Sequence, residues 1–135
     1  MKVAVYPGSF NPWHDGHKNV LEQALKAFDK VVICQGFNPD KIYRAELIRE
    51  TNEFGDYKGK VWVRHYSDLL KDFIDEIKPD AIIKGIRNAQ DLEYETTQQY
   101  WNEDLGITIP TFYVITDRNL RHISSSAIRQ VEKFK

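Results

Sequence analysis

The first chemical signal follows a short apolar run at the N-terminus, in Gly8-Ser9-Phe10-Asn11-Pro12-Trp13-His14-Asp15-Gly16-His17. Gly8 permits a tight turn and a close approach of backbone to ligand. Gly16 leads into a predicted helix, which puts His17 in the first turn. Unclaimed backbone N–H groups and the helix dipole favour a phosphate there, and an imidazole can donate a hydrogen bond to the same anion. The segment also fits a plain turn carrying a surface histidine. His14 and His17 stand three apart, as two metal ligands would, but no third ligand lies nearby and the lone Cys34 sits in a strand-like run. No protein-held metal is expected.

Lys84-Gly85-Ile86-Arg87 is the second signal, with Asp91-Leu92-Glu93-Tyr94-Glu95 close behind it. Two cations flank a glycine at the end of an apolar run. Arg87 can bind phosphate in a fork and Lys84 as a point charge. Taken alone, the pair also fits surface cations that close a strand, and Glu93 or Glu95 fits the outside of a helix. The third signal is Arg118-Asn119-Leu120-Arg121-His122-Ile123-Ser124-Ser125-Ser126-Ala127-Ile128-Arg129. One serine is explained by an N-cap. Three in a row, between Arg121 and Arg129, suggest a second anion site at a helix end. Lys41 and Arg44 add charge after the second apolar run. A substrate with several phosphates accounts for all of these. Gly-x-Gly-x-x-Gly, Gly-x4-Gly-Lys-Ser/Thr and Gly-x-Ser-x-Gly are all absent, which disfavours dinucleotide oxidoreductases, P-loop NTPases and α/β-hydrolases. What remains is a site for positioning and charge stabilisation, as nucleotidyl transfer requires.

Such residues need a scaffold. Strands are predicted over residues 2–6, 30–36, 60–65, 80–84 and 110–116, each rich in Val, Ile, Phe or Tyr. Between them lie helix-period segments. Leu69, Leu70, Phe73, Ile74 and Ile77 form one apolar stripe, and Val20, Leu21, Ala24, Leu25 and Phe28 form another. Pro79 closes the first of these two, and Gly106 follows the long helix after strand four. Alternating strands and helices predict an α/β, doubly wound, five-stranded parallel sheet in Rossmann-like order 3-2-1-4-5. A single domain is expected over residues 1–135. In that order the chain switches sides between strands one and four, where ligands collect beyond the strand ends.

The 135 residues hold 19 basic and 20 acidic side chains, for a formal net charge of -1. That balance argues against a nucleic-acid or membrane binder. One cysteine cannot make an internal disulfide, and a packed core thiol is expected at Cys34. The N-terminal run is too short and polar for a signal peptide, and no apolar stretch reaches membrane-spanning length. A cytoplasmic location is expected.

Tyr6-Pro7-Gly8-Ser9-Phe10-Asn11-Pro12, Gly16-His17, Tyr66-Ser67-Asp68-Leu69-Leu70, Lys84-Gly85-Ile86-Arg87, Asp91-Leu92-Glu93-Tyr94-Glu95 and Ile123-Ser124-Ser125-Ser126 occur in one order along nearly the whole chain. In this the sequence resembles the bacterial-type phosphopantetheine adenylyltransferases. These belong to the nucleotidylyltransferase superfamily, with its H-x-G-H and I-S-S-S/T-x-x-R/K motifs. The resemblance implies transfer of the adenylyl group of ATP to 4'-phosphopantetheine, giving dephospho-coenzyme A and pyrophosphate. It implies Mg²⁺ with ATP, a homo-oligomer, and His17 as the catalytic residue. Carried over by position, Ser9, Lys41, Leu70 and Lys84 meet the acceptor. ATP falls to Ser9, Phe10, His17, Gly85, Ile86, Arg87 and Glu95, and to the run Leu120, Arg121, His122, Ile123, Ser124, Ser125 and Ser126. Ser9 stands for a usual threonine, Lys84 for an arginine and Leu120 for an aromatic residue. The alternatives are adenylyl or cytidylyl transfer to another phosphate acceptor, such as nicotinamide mononucleotide or glycerol phosphate, or a catalytically silent nucleotide-binding module.

Overall fold

The computed structural model describes residues 1–36, 54, 57–67 and 69–133. Five strands form one sheet: β1 (Val3–Gly8), β2 (Lys30–Gly36), β3 (Val61–Tyr66), β4 (Ala81–Ile86) and β5 (Thr111–Ile115). All neighbouring pairs are parallel and the order is β3-β2-β1-β4-β5, as expected from the alternation of elements. The helices are α1 (Asp15–Ala24), α2 (Leu70–Ile77), α3 (Ala89–Asp104) and α4 (Ser125–Glu132), and a short 3₁₀ turn covers Arg118–Leu120. The stretch between β2 and β3 lies mostly outside the described residues, and with it Lys41 and Arg44.

The central strands are buried on both faces, which is why they read as continuous apolar runs. Alternate side chains divide between two cores. Ala4, Tyr6, Val31, Ile33 and Ile83 pack with Val20, Leu21 and Ala24 of α1. Val5, Val32, Cys34 and Ile82 pack on the other face with Ile74 of α2. Cys34 is a buried core thiol, and burial pushes its pKa up to about 12. At the β3 edge Val61 and Val63 turn inward, whereas Trp62 turns outward beneath Lys30, whose Nζ lies 3.3 Å from the ring centre.

Both of these helix-to-strand stops, after α2 and after α3, match local chemistry. Lys78 ends α2 in a left-handed conformation (φ 55°) and Pro79 follows it. Gly106, at φ 89°, follows α3 and donates its N–H to the Glu103 carbonyl at 3.0 Å. Helices α3 and α4 differ from α1 and α2 because neither buries a residue; α3 is the longer, with sixteen residues.

Candidate active site

A cleft of about 490 Å³ opens at the carboxyl ends of β1 and β4, where the chain's connections switch sides of the sheet. Three segments distant in sequence build it. The turn after β1 brings Ser9, Phe10, His14 and His17, and the end of β4 with α3 brings Lys84, Gly85, Arg87, Asp91 and Glu95. The start of α4 brings Ile123, Ser124, Ser125 and Ser126.

The two histidines at the start of α1 form an unusual cap. His14 is the N-cap residue, and its Nδ1 accepts the Gly16 N–H at 3.0 Å. In return, His17 Nδ1 accepts the His14 N–H at 3.2 Å. This is the reciprocal logic of a capping box, with imidazoles in place of a hydroxyl and a carboxylate. An Nδ1 that accepts must be bare, so the proton of each neutral ring is on Nε2. The rings stack 3.7 Å apart, and Trp13 stacks on the far side of His17 at 5.3 Å. Phe10 meets His17 edge-on at 4.9 Å. Burial, His14 and Arg87 together push the His17 pKa down to about 3. Burial and Arg87 also lower that of His14. The cleft therefore holds a neutral imidazole with an N–H to donate and one fixed tautomer.

Two expectations about backbone need correcting. Gly8 does not take up the strained turn geometry. Phe10 does, at φ 47°, and such a conformation costs on the order of 1–3 kcal/mol outside glycine. Gly8 is needed because the Phe10 ring lies over it, and a Cβ there would sit 2.9 Å from Cζ of that ring. The amides at the helix starts are not all open either. Gly16 N–H is held by His14, and Ala127 N–H by the Ser124 hydroxyl at 3.1 Å. An anion here would meet side-chain donors and the dipole more than those amides.

Nor are the cations bare. Lys84 Nζ lies 3.5 Å from Glu95 Oε2, a buried oxygen that has no hydrogen-bond partner. The Arg87 fork is closed on Asp91, with Nε–Oδ2 at 2.9 Å and Nη2–Oδ1 at 3.0 Å. Arg129 reaches the Asn11 carbonyl, and Ser125 Oγ donates to the Pro12 carbonyl at 2.9 Å. Burial and the Glu95 charge raise the pKa of the Tyr6 phenol, so it stays protonated beneath the cleft.

Of the residues singled out in sequence, Ser9, Phe10, His17, Lys84, Gly85, Arg87, Glu95, Ile123, Ser124, Ser125 and Ser126 line this one cleft. Five others do not. Leu70 packs in the core beside Phe73 and Ile77. Ile86 is buried at the end of β4, opposite Ile115. Leu120, Arg121 and His122 lie in the turn before α4, where Arg121 Nε donates to the Arg87 carbonyl. Lys41 falls outside the described residues. The cleft is also lined by His14, Asp91, Tyr94 and Arg129, which stand in the motif segments without a role assigned by resemblance, and by Thr116, which stands in none of them. A signal existed for His14: histidines at i and i+3 ahead of an apolar helix have capping-box spacing.

The cytidylyltransferase-like family matches residues 5–131. The phosphopantetheine adenylyltransferase of Clostridium beijerinckii is 38% identical over 99% of this chain and 86% of its own. That of Clostridium perfringens is 38% identical over 99% of this chain and 84% of its own. The chain belongs to the phosphopantetheine adenylyltransferase family. A solved structure of a proposed nicotinate-nucleotide adenylyltransferase from Vibrio parahaemolyticus superimposes with a TM-score of 0.66 at 22% identity. It covers 97% of this chain and 86% of that one. At that identity the likeness concerns the fold alone. In an adenylyltransferase of this family, a neutral Nε2–H donor beside two partnered cations makes a site for stabilising charge.

Proposed function

We propose that this chain joins the adenylyl group of ATP to 4'-phosphopantetheine, forming dephospho-coenzyme A and releasing pyrophosphate in coenzyme A biosynthesis. The observation that carries the reading is the meeting of all three motif segments in one cleft at the β1–β4 switch point. An oxygen of the acceptor phosphate attacks the α-phosphorus. The new P–O bond forms as the bond from the α-phosphorus to the bridging oxygen breaks, and that oxygen leaves with pyrophosphate. The acceptor already carries an anionic nucleophile, so neither a general base nor a covalent enzyme intermediate is needed. His17 donates its Nε2–H to the α-phosphate as charge builds there. Preorganised donors of this kind act mostly on the transition state.

Arg87, Ser124, Ser125 and Ser126 take the ATP phosphates, and Lys84 with Lys41 takes the acceptor phosphate. The buried Glu95 Oε2 is an acceptor for a ligand N–H or O–H. Among the described residues no three His, Cys, Asp or Glu side chains gather where a metal ion could be held. Mg²⁺, which the family resemblance implies, would come with ATP as part of the substrate and would supply charge neutralisation at its phosphates. No described helix is long and apolar enough to cross a membrane. We place the enzyme in the cytoplasm and assemble it as a homo-oligomer, in which a second copy covers α3.

Pyrophosphate release from MgATP, measured against a panel of acceptors, tests the reading. Phosphopantetheine should be turned over, and nicotinamide mononucleotide and glycerol phosphate should not. Turnover with one of those two alone would move the chain to another acceptor. No turnover with any acceptor, in protein that still binds ATP, would make it a silent nucleotide-binding module.

A further inference from the structure

Asp91 lines the cleft, yet its carboxylate is fully engaged by one neighbour. Its Oδ2 accepts both Nε and the backbone N–H of Arg87, at 2.9 and 3.0 Å, and its Oδ1 accepts Nη2 at 3.0 Å. The Asp91 N–H donates to Oδ1 of the helix-capping Asn88 at 2.9 Å, a backbone contact that leaves the carboxylate to Arg87 alone. On the opposite side Arg87 Nη1 donates to the Ile123 carbonyl at 3.3 Å, just before the serine run. A guanidinium carries five N–H groups. Asp91 takes two and Ile123 one, so two are claimed by no described residue.

An arginine side chain has several free rotors, and in water most of its rotamers would miss a phosphate. A bidentate pair fixes both the position and the plane of the guanidinium. The cost is a negative charge close to an anionic ligand. If charge alone mattered, loss of that carboxylate would tighten ATP binding. If orientation matters more, its loss would weaken binding.

We propose that Asp91 is the positioning residue for Arg87: its carboxylate holds the guanidinium so that the remaining N–H groups face the phosphates of ATP. Asp91 need not touch the nucleotide. The proposal rests on the assignment of ATP to this cleft but not on the identity of the acceptor.

A double-mutant cycle read by ATP binding alone, with no acceptor present, tests it. Asp91→Asn keeps shape and removes the charged fork. It should weaken ATP binding about tenfold, in the range of coupling between contacting charged partners. In the Arg87→Ala background the same change should have almost no effect. Asn88→Ala, which removes the helix cap without touching Arg87, should leave ATP affinity close to that of the parent. Equal losses from Asp91→Asn in both backgrounds would overturn the proposal. So would tighter binding by Asp91→Asn, or an equal loss from Asn88→Ala. A parent protein that fails to bind ATP would remove both this inference and the function beneath it. Binding of ATP with turnover of some other acceptor would remove only the function.

Discussion

His17 is held by three constraints at once: a backbone N–H on Nδ1, an imidazole on one face and an indole on the other. The backbone N–H on Nδ1, burial, and the neighbouring His14 and Arg87 favour the neutral ring. His17→Ala should lower kcat by the equivalent of about 2.7–4 kcal/mol, the usual loss for one transition-state donor, and hardly change ATP affinity. Steady-state kinetics alongside ATP titration would decide. An effect confined to the Michaelis constant would reduce the residue to a turn element. The protonation state can be read separately by NMR. With a pKa near 3, the ring should stay neutral and protonated on Nε2 at pH 5, and a titration near 6.5 would contradict the caged geometry. The folded ring binds its proton less readily than the unfolded one. Its contribution to stability is thus full above about pH 6.5 and is lost as pH falls towards 3.

At the scale of elements, the cleft depends on how closely β4 approaches α1. A Cβ on Gly85 would lie 2.8 Å from Cγ2 of Val20. Gly85→Ala should therefore destabilise the fold by about 1–3 kcal/mol through overpacking. Val20→Ala in the same chain should recover part of that loss. Urea unfolding of the two single variants and the double variant measures both, and an additive double variant would show that the contact does not limit the packing. Gly85 falls to ATP by resemblance; it lines the cleft, and the fold adds that helix α1 also approaches it closely. The strands were legible because runs such as Val31-Val32-Ile33-Cys34 must be buried on both faces. The order 3-2-1-4-5 followed from alternation and crossover handedness. The carboxylate partners were not legible: residue types at the ends of β4 and α3 do not say that Asp91 and Glu95 turn back onto Arg87 and Lys84. Leu70 is an acceptor contact by resemblance; in the fold it is a half-buried side chain of the α2 stripe, packed against the core.

At the scale of the whole molecule, the described residues leave a long surface exposed along α3. Helix α3 buries none of its residues, and Tyr100 and Trp101 are each 61% exposed. Beside it, edge strand β5 exposes Ile115 at 70%. Apolar surface grouped in this way marks an interface more often than it marks solvent. Light scattering should give a mass that is a multiple of 15.9 kDa, and Trp101→Glu should shift it towards one chain. A parent protein that is monomeric at micromolar concentration would refute assembly through α3. Charge and length located the site and limited the domain count, but they carried no sign of this face. The α3 sequence lacks the periodic stripe from which sequence reading infers burial.

Helix α4 closes one wall of the cleft without burying a residue. Polar contacts to carbonyls hold it: Ser125 to Pro12, Arg129 to Asn11, and Arg87 to Ile123 at its threshold. Release of such a helix exposes little apolar surface, so the opening should carry a small denaturant slope and a small heat-capacity change. Amides of α4 should then exchange with solvent deuterium at rates nearly independent of dilute urea. Those of β1 and β2 should wait for global unfolding and accelerate steeply.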